Sequence, residues 1–337
     1  MSVLSTVAFL ASFPTLNAEA SPKNFEQWCQ QKNSLSAATK NTVEVLLKQA
    51  ETKNCKAAND KLSSLSELAL RAENITDLEP LVSFTNLTSL ELPSNGLTDI
   101  KPLANLTKLT YLSLFGNEVK DITPLAKLTS LVNLDLTDNK IENVTPLARL
   151  TNLQFLNISA NSVSDFSSLT GLKKLEFLWL ASMNISNVQN IANLAVRLPN
   201  LKSLELDSNQ IVNIKPLSVL TNLTSLELNN NQIIDVKPLS VLTNLTSLVL
   251  GSNQIVDVKP LSTLTNLTML FLDSNQIIDV SSLSRLTKLE SLLLSSNPVN
   301  DIKPLSNLTS LTLLSVNEAK FKPSDCPVKP ASICSFD

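Results

Sequence analysis

The chain has 337 residues, of which 43% are hydrophobic and 17% are charged, and its formal net charge is -3. This composition excludes a disordered chain, and the length is sufficient for a large core or a long repetitive array. The sequence contains no histidine, which excludes a Ser-His or Cys-His catalytic pair, a histidine general base and imidazole metal ligands. A mildly acidic chain without a basic run also indicates no nucleic-acid partner and no membrane-surface role.

The first 20 residues have the pattern of a secretory signal peptide. An apolar stretch, residues 3–13, precedes Pro14, and Ala18-Glu19-Ala20 fits a small-x-small cleavage site. Because no lysine or arginine precedes Lys23, a buried first helix is the alternative interpretation. We expect residues 1–20 to direct export to the periplasm or the medium. No other apolar run has the length needed to span a bilayer.

The following segment, residues 21–64, differs in composition from the rest of the chain and predicts a helical N-terminal cap. Within it, residues 37–51 have the periodicity of an amphipathic helix, and Ser36 precedes them as the expected N-cap. The apolar residues that this helix is expected to bury are Val43, Val45, Leu46 and Leu47.

From residue 65 to residue 321 the chain repeats itself every 22 residues in about twelve copies. The period is clearest in the copies that begin at Leu223 and Leu245, and the consensus is LxxLxLxxNxIxDVxPL. The consensus asparagines are Asn95, Asn117, Asn139, Asn161, Asn209, Asn231, Asn253, Asn275 and Asn297. Three degenerate copies have Glu73, Met183 and Ala319 at this position. The outer copies are atypical, as the ends of a stacked array should be.

Each consensus residue has a physical task in such an array. The LxL pair, such as Leu226 and Leu228, alternates with outward residues and predicts a short strand with one buried face. Stacked copies then form one long parallel sheet. The asparagine amide is expected to bond backbone groups of adjoining turns that strand pairing leaves unsatisfied.

The end of each repeat predicts a short helical turn on the convex side. The consensus aspartate fits the N-cap of that turn, and the proline fits its early part. A row of aspartate metal ligands is the alternative, but a cation site needs carboxylates that converge. The aspartates are Asp99, Asp121, Asp235, Asp257, Asp279 and Asp301.

The consensus resembles the leucine-rich repeat signature, and its 22-residue length and Asp-Val/Ile-x-Pro-Leu tail are similar to the internalin-like bacterial subfamily. The resemblance implies an α/β solenoid, a right-handed leucine-rich repeat horseshoe with a parallel concave β-sheet and short convex 3-10 or helical turns. The segment from Trp28 to Asn59 resembles the start of exported cyanobacterial leucine-rich repeat proteins.

One repeat is longer than the others. Met183 and Asn209 are 26 residues apart, and the four extra residues lie within residues 191–198. A fuller convex helix is predicted there, with a local change in the curvature of the array.

The four cysteines flank the repeats, two on each side, and an even number in an exported chain indicates two disulfides. We expect Cys29 to pair with Cys55 and Cys326 with Cys334, because other pairings would join opposite ends of the solenoid. A zinc site would need four close thiolates, which the same separation excludes. Residues 322–337 are predicted to close the C-terminal end.

Six of the 14 aromatic residues fall at outward positions of the predicted concave sheet: Tyr111, Phe115, Phe155, Phe177, Trp179 and Phe271. The middle members, Phe155, Phe177 and Trp179, should be adjacent. The acidic residues expected around them are Asp135, Glu205, Asp207 and Glu227. An apolar patch with a polar rim is typical of a partner-binding surface. Aromatic packing that merely stabilises the sheet is the alternative.

Three further phenylalanines, Phe84, Phe166 and Phe321, replace leucine or isoleucine at inward positions. All three are therefore predicted to lie in the core.

One feature of the sequence supports an enzymatic function. Glu205 and Glu227 should face each other on adjacent strands, roughly 5 Å apart, near the separation of the carboxylates in retaining glycosidases. An open sheet is expected to expose both to water without raising the pKa of either, which disfavours a hydrolase. With only four scattered glycines, the chain has no phosphate-binding loop, and paired cysteines leave no reactive thiol.

We therefore predict a monomeric, exported, non-catalytic module that binds a protein through its concave face and needs no cofactor and no metal. A glycan bound by the same aromatic residues is the first alternative. A passive envelope or spacer protein is the second.

Overall fold

The computed structural model describes residues 23–316 and 320–336. The predicted signal peptide and Ala319 lie outside these ranges. Thirteen parallel strands form one open sheet, and each strand pairs with the next one along the chain. The strands are β1 Glu67–Ala69, β2 Ser89–Glu91, β3 Tyr111–Ser113, β4 Asn133–Asp135, β5 Phe155–Asn157, β6 Phe177–Trp179, β7 Ser203–Glu205, β8 Ser225–Glu227, β9 Ser247–Val249, β10 Met269–Phe271, β11 Ser291–Leu293, β12 Leu313–Val316 and β13 Cys334–Phe336.

Short helical turns return the chain from one strand to the next. The 3-10 helices are Lys32–Ser34, Glu79–Leu81, Lys101–Asn105, Thr123–Lys127, Thr145–Arg149, Ser167–Gly171, Lys215–Val219, Lys237–Val241, Lys259–Thr263, Ser281–Arg285, Lys303–Asn307, Pro323–Asp325 and Ala331–Ile333. The α-helices are α1 Phe25–Gln30, α2 Ala37–Gln49, α3 Cys55–Ser63 and α4 Gln189–Ala195. Within the described ranges, no helix is long and apolar enough to cross a membrane.

The first three α-helices cover the N-terminal end of the sheet, as predicted. Ser36 caps α2 by accepting a hydrogen bond from the Thr39 backbone N–H at 3.2 Å. The helix ends two residues earlier than predicted, and Glu51 has a left-handed φ of 56°, which a helix cannot continue through. The disulfide between Cys29 and Cys55 joins α1 to α3.

The core is one continuous cluster of buried leucine, isoleucine and valine side chains that runs the length of the array. Phe84 and Phe166 lie in it, as predicted. Phe321 is only half-buried, so its prediction as a core residue was wrong. It packs at the end of the array, where the next turn is the C-terminal segment and not another full repeat.

The buried asparagines form the predicted ladder. The Asn253 side-chain oxygen accepts a hydrogen bond from the Ile233 N–H at 3.0 Å, in the preceding turn. Its amide nitrogen donates to the carbonyl oxygens of Leu228 (2.9 Å), Leu250 (3.0 Å) and Gly251 (3.1 Å). One side chain thereby satisfies backbone groups in two successive turns that strand pairing does not reach.

The residue before each ladder asparagine was not singled out from the sequence, yet it has an unusual backbone. Ser252 has φ 52°, Asn230 has φ 54° and Gly116 has φ 66°. This left-handed conformation turns the chain out of the sheet and brings the asparagine into the core. It costs a non-glycine residue roughly 1–2 kcal/mol, which the ladder hydrogen bonds offset.

The helical turns begin one residue later than predicted, so each consensus aspartate precedes the N-cap residue instead of occupying that position. Val258 is the N-cap residue of the Lys259–Thr263 turn and makes no side-chain capping bond. Asp257 precedes it and accepts a hydrogen bond from the Lys259 N–H at 2.8 Å. The N-cap prediction was therefore wrong in position, because the capping residue must be the apolar one whose side chain enters the core.

The long repeat and the C-terminal end complete the array. Helix α4 replaces the 3-10 turn of the other repeats, as the four extra residues predicted. The Cys326–Cys334 disulfide closes the last turn, with 6.0 Å between the two Cα atoms. Strand β13 extends the sheet beyond the twelfth repeat, and the sequence pattern did not reveal it.

Replacing Asn253 with alanine is expected to lower the free energy of unfolding by about 2–4 kcal/mol. The buried Ile233 N–H loses its acceptor, at roughly 1–3 kcal/mol. The carbonyl oxygens of Leu228, Leu250 and Gly251 each lose one of two hydrogen bonds.

The matched control is Asn266→Ala, since Asn266 makes only exposed hydrogen bonds to Thr243 and Lys288. Urea denaturation measures both variants. Equal losses in the two variants would contradict the assigned role of the ladder.

Candidate functional site

The strand register places the predicted site residues in columns on the concave face. Phe155 pairs with Phe177, and Asn157 pairs with Trp179. Trp179 in turn pairs with Glu205, and Glu205 pairs with Glu227. Because adjacent strands lie ~4.8 Å apart, aromatic and acidic side chains meet between β6 and β7.

Phe155, Phe177 and Trp179 form the aromatic patch. The ring centroids of Phe155 and Trp179 are 4.7 Å apart with an edge-to-face angle of 81°, and those of Phe155 and Phe177 are 6.5 Å apart. The predicted adjacency is therefore confirmed. Phe177 keeps 41% of its surface exposed, whereas Phe155 and Trp179 are half-buried. Large apolar side chains held open to solvent are typical of interaction surfaces.

The acidic trio consists of Glu205 on β7, Glu227 on β8, and Asp207, two residues beyond the end of β7. Asp207 accepts hydrogen bonds from the backbone N–H of Asn229 at 2.7 Å and from its side-chain amide at 3.3 Å. In the described part of the chain, neither glutamate carboxylate has a hydrogen-bond or ion-pair partner. The trio therefore concentrates negative charge that its own surroundings only partly satisfy.

The sequence-based expectation that these glutamates keep ordinary pKa values was wrong. Burial, together with the nearby charges of Glu227 and Asp207, raises the pKa of Glu205 to about 7. Burial followed by the charge of Asp207 raises the pKa of Glu227 as well. The pKa of Asp207 is raised by burial, against the opposing effect of its Asn229 hydrogen bonds. Neighbouring strands shield the carboxylates more than an open sheet suggests.

Two other acidic side chains on the concave face, those of Glu91 and Asp135, have partners. Glu91 forms an ion pair with Arg71. Asp135 accepts hydrogen bonds from the Thr137 hydroxyl at 2.6 Å and from the Ser113 hydroxyl at 3.3 Å. Asp135 therefore borders the aromatic patch as a satisfied residue, unlike the two glutamates.

The remaining predicted site residues do not join the aromatic patch. Tyr111 lies two strands before Phe155, and burial followed by the charge of Glu91 raises the pKa of its hydroxyl. Phe115 is 41% exposed beyond the end of β3, and Phe271 lies two strands after Glu227. Within the described ranges, no ring contact links these three residues to the patch.

Sequence reasoning missed Ser203, which lies on the concave face beside Phe177 and two residues before Glu205. Only 7% of its surface is exposed, because neighbouring side chains bury most of this serine. Serine is common in this column, so its type carried no signal. Its burial by neighbouring side chains was visible only in the structure.

A second exposed apolar surface lies on the convex side and was also missed. It is a row of β-branched residues next to the buried consensus isoleucines. The four residues are Val212, Ile234, Val256 and Ile278, each 47–55% exposed. A sequence signal existed, namely apolar residues at the same outward position of four successive repeats.

The chemistry available at the concave face is apolar contact combined with cation binding. A carboxylic acid with a pKa near 7 is also able to exchange a proton at neutral pH. Among the described residues, no group of three or more cysteine, histidine, aspartate or glutamate side chains is arranged to hold a metal ion.

Most of the repeat region matches the profile of a known protein family. The profile of the family described as Leucine Rich repeats (2 copies) matches residues 85–126, 107–149, 151–194, 199–241 and 243–285. Among curated protein sequences, none is significantly similar to the chain.

Several solved structures share the solenoid. An internalin from Listeria monocytogenes is 35% identical, with a TM-score of 0.71, and the alignment covers 82% of this chain and 81% of the internalin. A leucine-rich repeat protein from Leptospira interrogans is 27% identical, with a TM-score of 0.61 and coverage of 77% and 74%. TLR13, solved in complex with ssRNA13, is 28% identical with a TM-score of 0.63, and the alignment covers 77% of this chain but 41% of TLR13.

The raised pKa of Glu205 predicts a pH-dependent penalty on stability. Its value in the folded state, about 7, lies above its ordinary value of 4.5, so the folded protein binds more protons between these pH values. Stability attributable to this group therefore falls as pH rises from about 4.5 to about 7 and is constant above. Glu205→Gln should raise the free energy of unfolding above pH 7 by on the order of 1 kcal/mol, after discounting for solvent screening, and should have little effect at pH 4.

Glu118→Gln is the matched control, because an exposed ion pair with Lys140 at 2.8 Å lowers the pKa of Glu118. The sign is opposite: this glutamine should reduce stability at neutral pH and have no such effect in acid. Urea unfolding at pH 4 and pH 8 compares the two variants. A destabilising effect of Glu205→Gln at pH 8 would contradict the assigned environment.

Proposed function

The chain belongs to the leucine-rich repeat family, and we propose that it is a non-catalytic binding module that recognises a protein partner through its concave face. The observation that carries this proposal is the aromatic patch, in which Phe177 is 41% exposed in the middle of an otherwise largely polar sheet. Exposed aromatic side chains with a polar rim supply most of the binding energy in many protein interfaces.

The fold does not need aromatic residues at these positions, which supports a binding role over simple packing. The column that contains Phe155 and Phe177 continues with Ser203, Ser225 and Ser247. These serine strands pair in the same register and bury the same inward leucines. Backbone pairing and the ladder therefore hold the sheet equally well without the aromatic rings.

The charge of the concave face favours protein over nucleic acid. TLR13, one of the structural neighbours, was solved with RNA, but this chain has a formal net charge of -3 and places the acidic trio beside the patch. Phosphate groups would be repelled there, whereas nucleic-acid sites neutralise them with lysine and arginine. A glycan needs an open aromatic face for stacking, and Phe155 already covers part of Trp179 with its edge-to-face contact.

We further propose that the protein is exported, with residues 1–20 as a leader, residues 21–64 as the N-terminal cap, residues 65–321 as the repeat domain and residues 322–337 as the C-terminal cap. The two disulfides support this proposal, since such bonds persist in oxidising compartments. The protein acts as a monomer in this proposal.

Replacing Phe177 and Trp179 together with alanine should abolish partner binding with little loss of stability, because neither ring fills the leucine core. The test is affinity capture from the envelope and medium of the source organism with the full chain as bait. A variant with Phe155, Phe177 and Trp179 all changed to alanine provides the binding-deficient bait, and thermal melting shows whether it is folded.

Ile234→Ala with Val256→Ala is the matched control, because it removes exposed apolar surface from the convex row and leaves the concave face intact. A protein retained by the wild type and this control, but lost by the folded triple variant, supports the proposal. A retained glycan would support the glycan alternative. Equal capture by all baits, with earlier melting of the triple variant, would assign the aromatic patch to sheet packing.

A further inference from the structure

We infer that the partner is a basic-apolar polypeptide segment that places a lysine or arginine side chain on the acidic trio and an apolar side chain on the aromatic patch. This inference rests on the proposed function, because it specifies the chemistry of the same concave surface. It goes beyond that function by excluding acidic and purely apolar segments.

The first argument is distance. Trp179 and Glu205 are directly paired across β6 and β7, so the two surfaces lie one strand spacing apart, ~4.8 Å. Side chains two residues apart in an extended segment, or three to four apart in a helix, project from the same face. A single short segment therefore reaches both surfaces at once.

The second argument is that some carboxylates on the concave face have hydrogen-bond or ion-pair partners and others do not. Glu91 has Arg71 as its cation, and Asp135 has hydroxyl donors. Asp207 has the Asn229 amide. Glu205 and Glu227 have no donor within the described ranges, although the structure half-buries both.

Among the residues that the structure describes, no lysine or arginine forms an ion pair with the acidic trio. Lys202, the nearest basic residue in sequence to Glu205, donates to Glu176 at 2.6 Å. The charged groups that act on Glu205 are Glu227 and Asp207, both negative. A cation supplied by a partner is the group that this arrangement lacks, and ion pairs that are partly desolvated are stronger than exposed ones.

Proton linkage makes the inference measurable. A bound cation favours the ionised trio and so lowers the pKa of Glu205, which is about 7 in the free protein. Binding then releases a proton in mildly acidic solution. Affinity for a basic segment should consequently increase as pH rises from about 5.5 to about 8, because protonated Glu205 and its raised neighbour Glu227 attract the cation less.

The experiment uses the full chain and a phage library of random 12-residue peptides as the probe. Peptides selected on the wild type at pH 8 are synthesised, and those without histidine are titrated against the wild type and two variants. The charge variant carries Glu205→Gln, Asp207→Asn and Glu227→Gln. The patch variant carries Phe177→Ala and Trp179→Ala.

The expected peptides contain lysine or arginine within four residues of an aromatic or branched aliphatic residue. Their affinity should fall by about tenfold or more in the charge variant, and by a similar factor in the patch variant, as expected for lost charge-assisted and hot-spot contacts. Wild-type affinity should decrease several-fold from pH 8 to pH 5.5. The charge variant should show no comparable pH dependence.

Two results overturn the inference and are distinguishable. Peptides without basic enrichment that bind the charge variant normally but fail on the patch variant would refute the cation and leave the proposed function intact. Peptides that bind both variants like the wild type, or a failure to select any peptide, would refute the concave site itself. Glu227→Gln alone serves as the charge variant if the triple substitution does not fold.

Discussion

The fold depends on the buried asparagine ladder. Each repeat must leave its strand through a left-handed residue, and the turn that follows exposes backbone groups to an apolar core. A side-chain amide is a short group with both donors and an acceptor, and Asn253 uses four hydrogen bonds to satisfy its own and the preceding turns. Because these hydrogen bonds lie inside the array, the stability of the array does not depend on the outward side chains of the sheet.

This separation between inward side chains that stabilise the fold and outward side chains explains how the concave face is available for binding. The inward leucines are almost invariant in type along the array, whereas the outward columns change from aromatic to acidic to serine within a few strands. Phe177, Trp179 and Glu205 lie side by side only because their repeats stack in an unbroken register. The partial burial that raises the pKa of Glu205 has the same origin, since Glu205 lies between Trp179 and Glu227 on the two adjacent strands.

Much of this was predictable, because the 22-residue period fixes both the register and the columns. The contact between Phe155 and Trp179 followed from this period. The α2 cap at Ser36 followed from helical periodicity, and both disulfides followed from the positions of the cysteines on either side of the repeats. Features that depend on detailed packing did not. The shielding of Glu205 depends on its neighbours in three dimensions. The N-cap residue of the Lys259–Thr263 turn is Val258, one residue after the predicted Asp257. Strand β13 lies outside the repeat pattern and was not predicted.

The most direct test of the concave site is side-chain footprinting with hydroxyl radicals, carried out on the chain alone and with the partner retained in affinity capture. Phe177 and Ile234 are both well exposed in the free protein, on opposite faces of the array. Protection of Phe177 and Trp179 by the partner, with unchanged oxidation of Ile234, is the predicted result. Protection of Ile234 and its convex neighbours, with Phe177 and Trp179 oxidised as in the free chain, would contradict it.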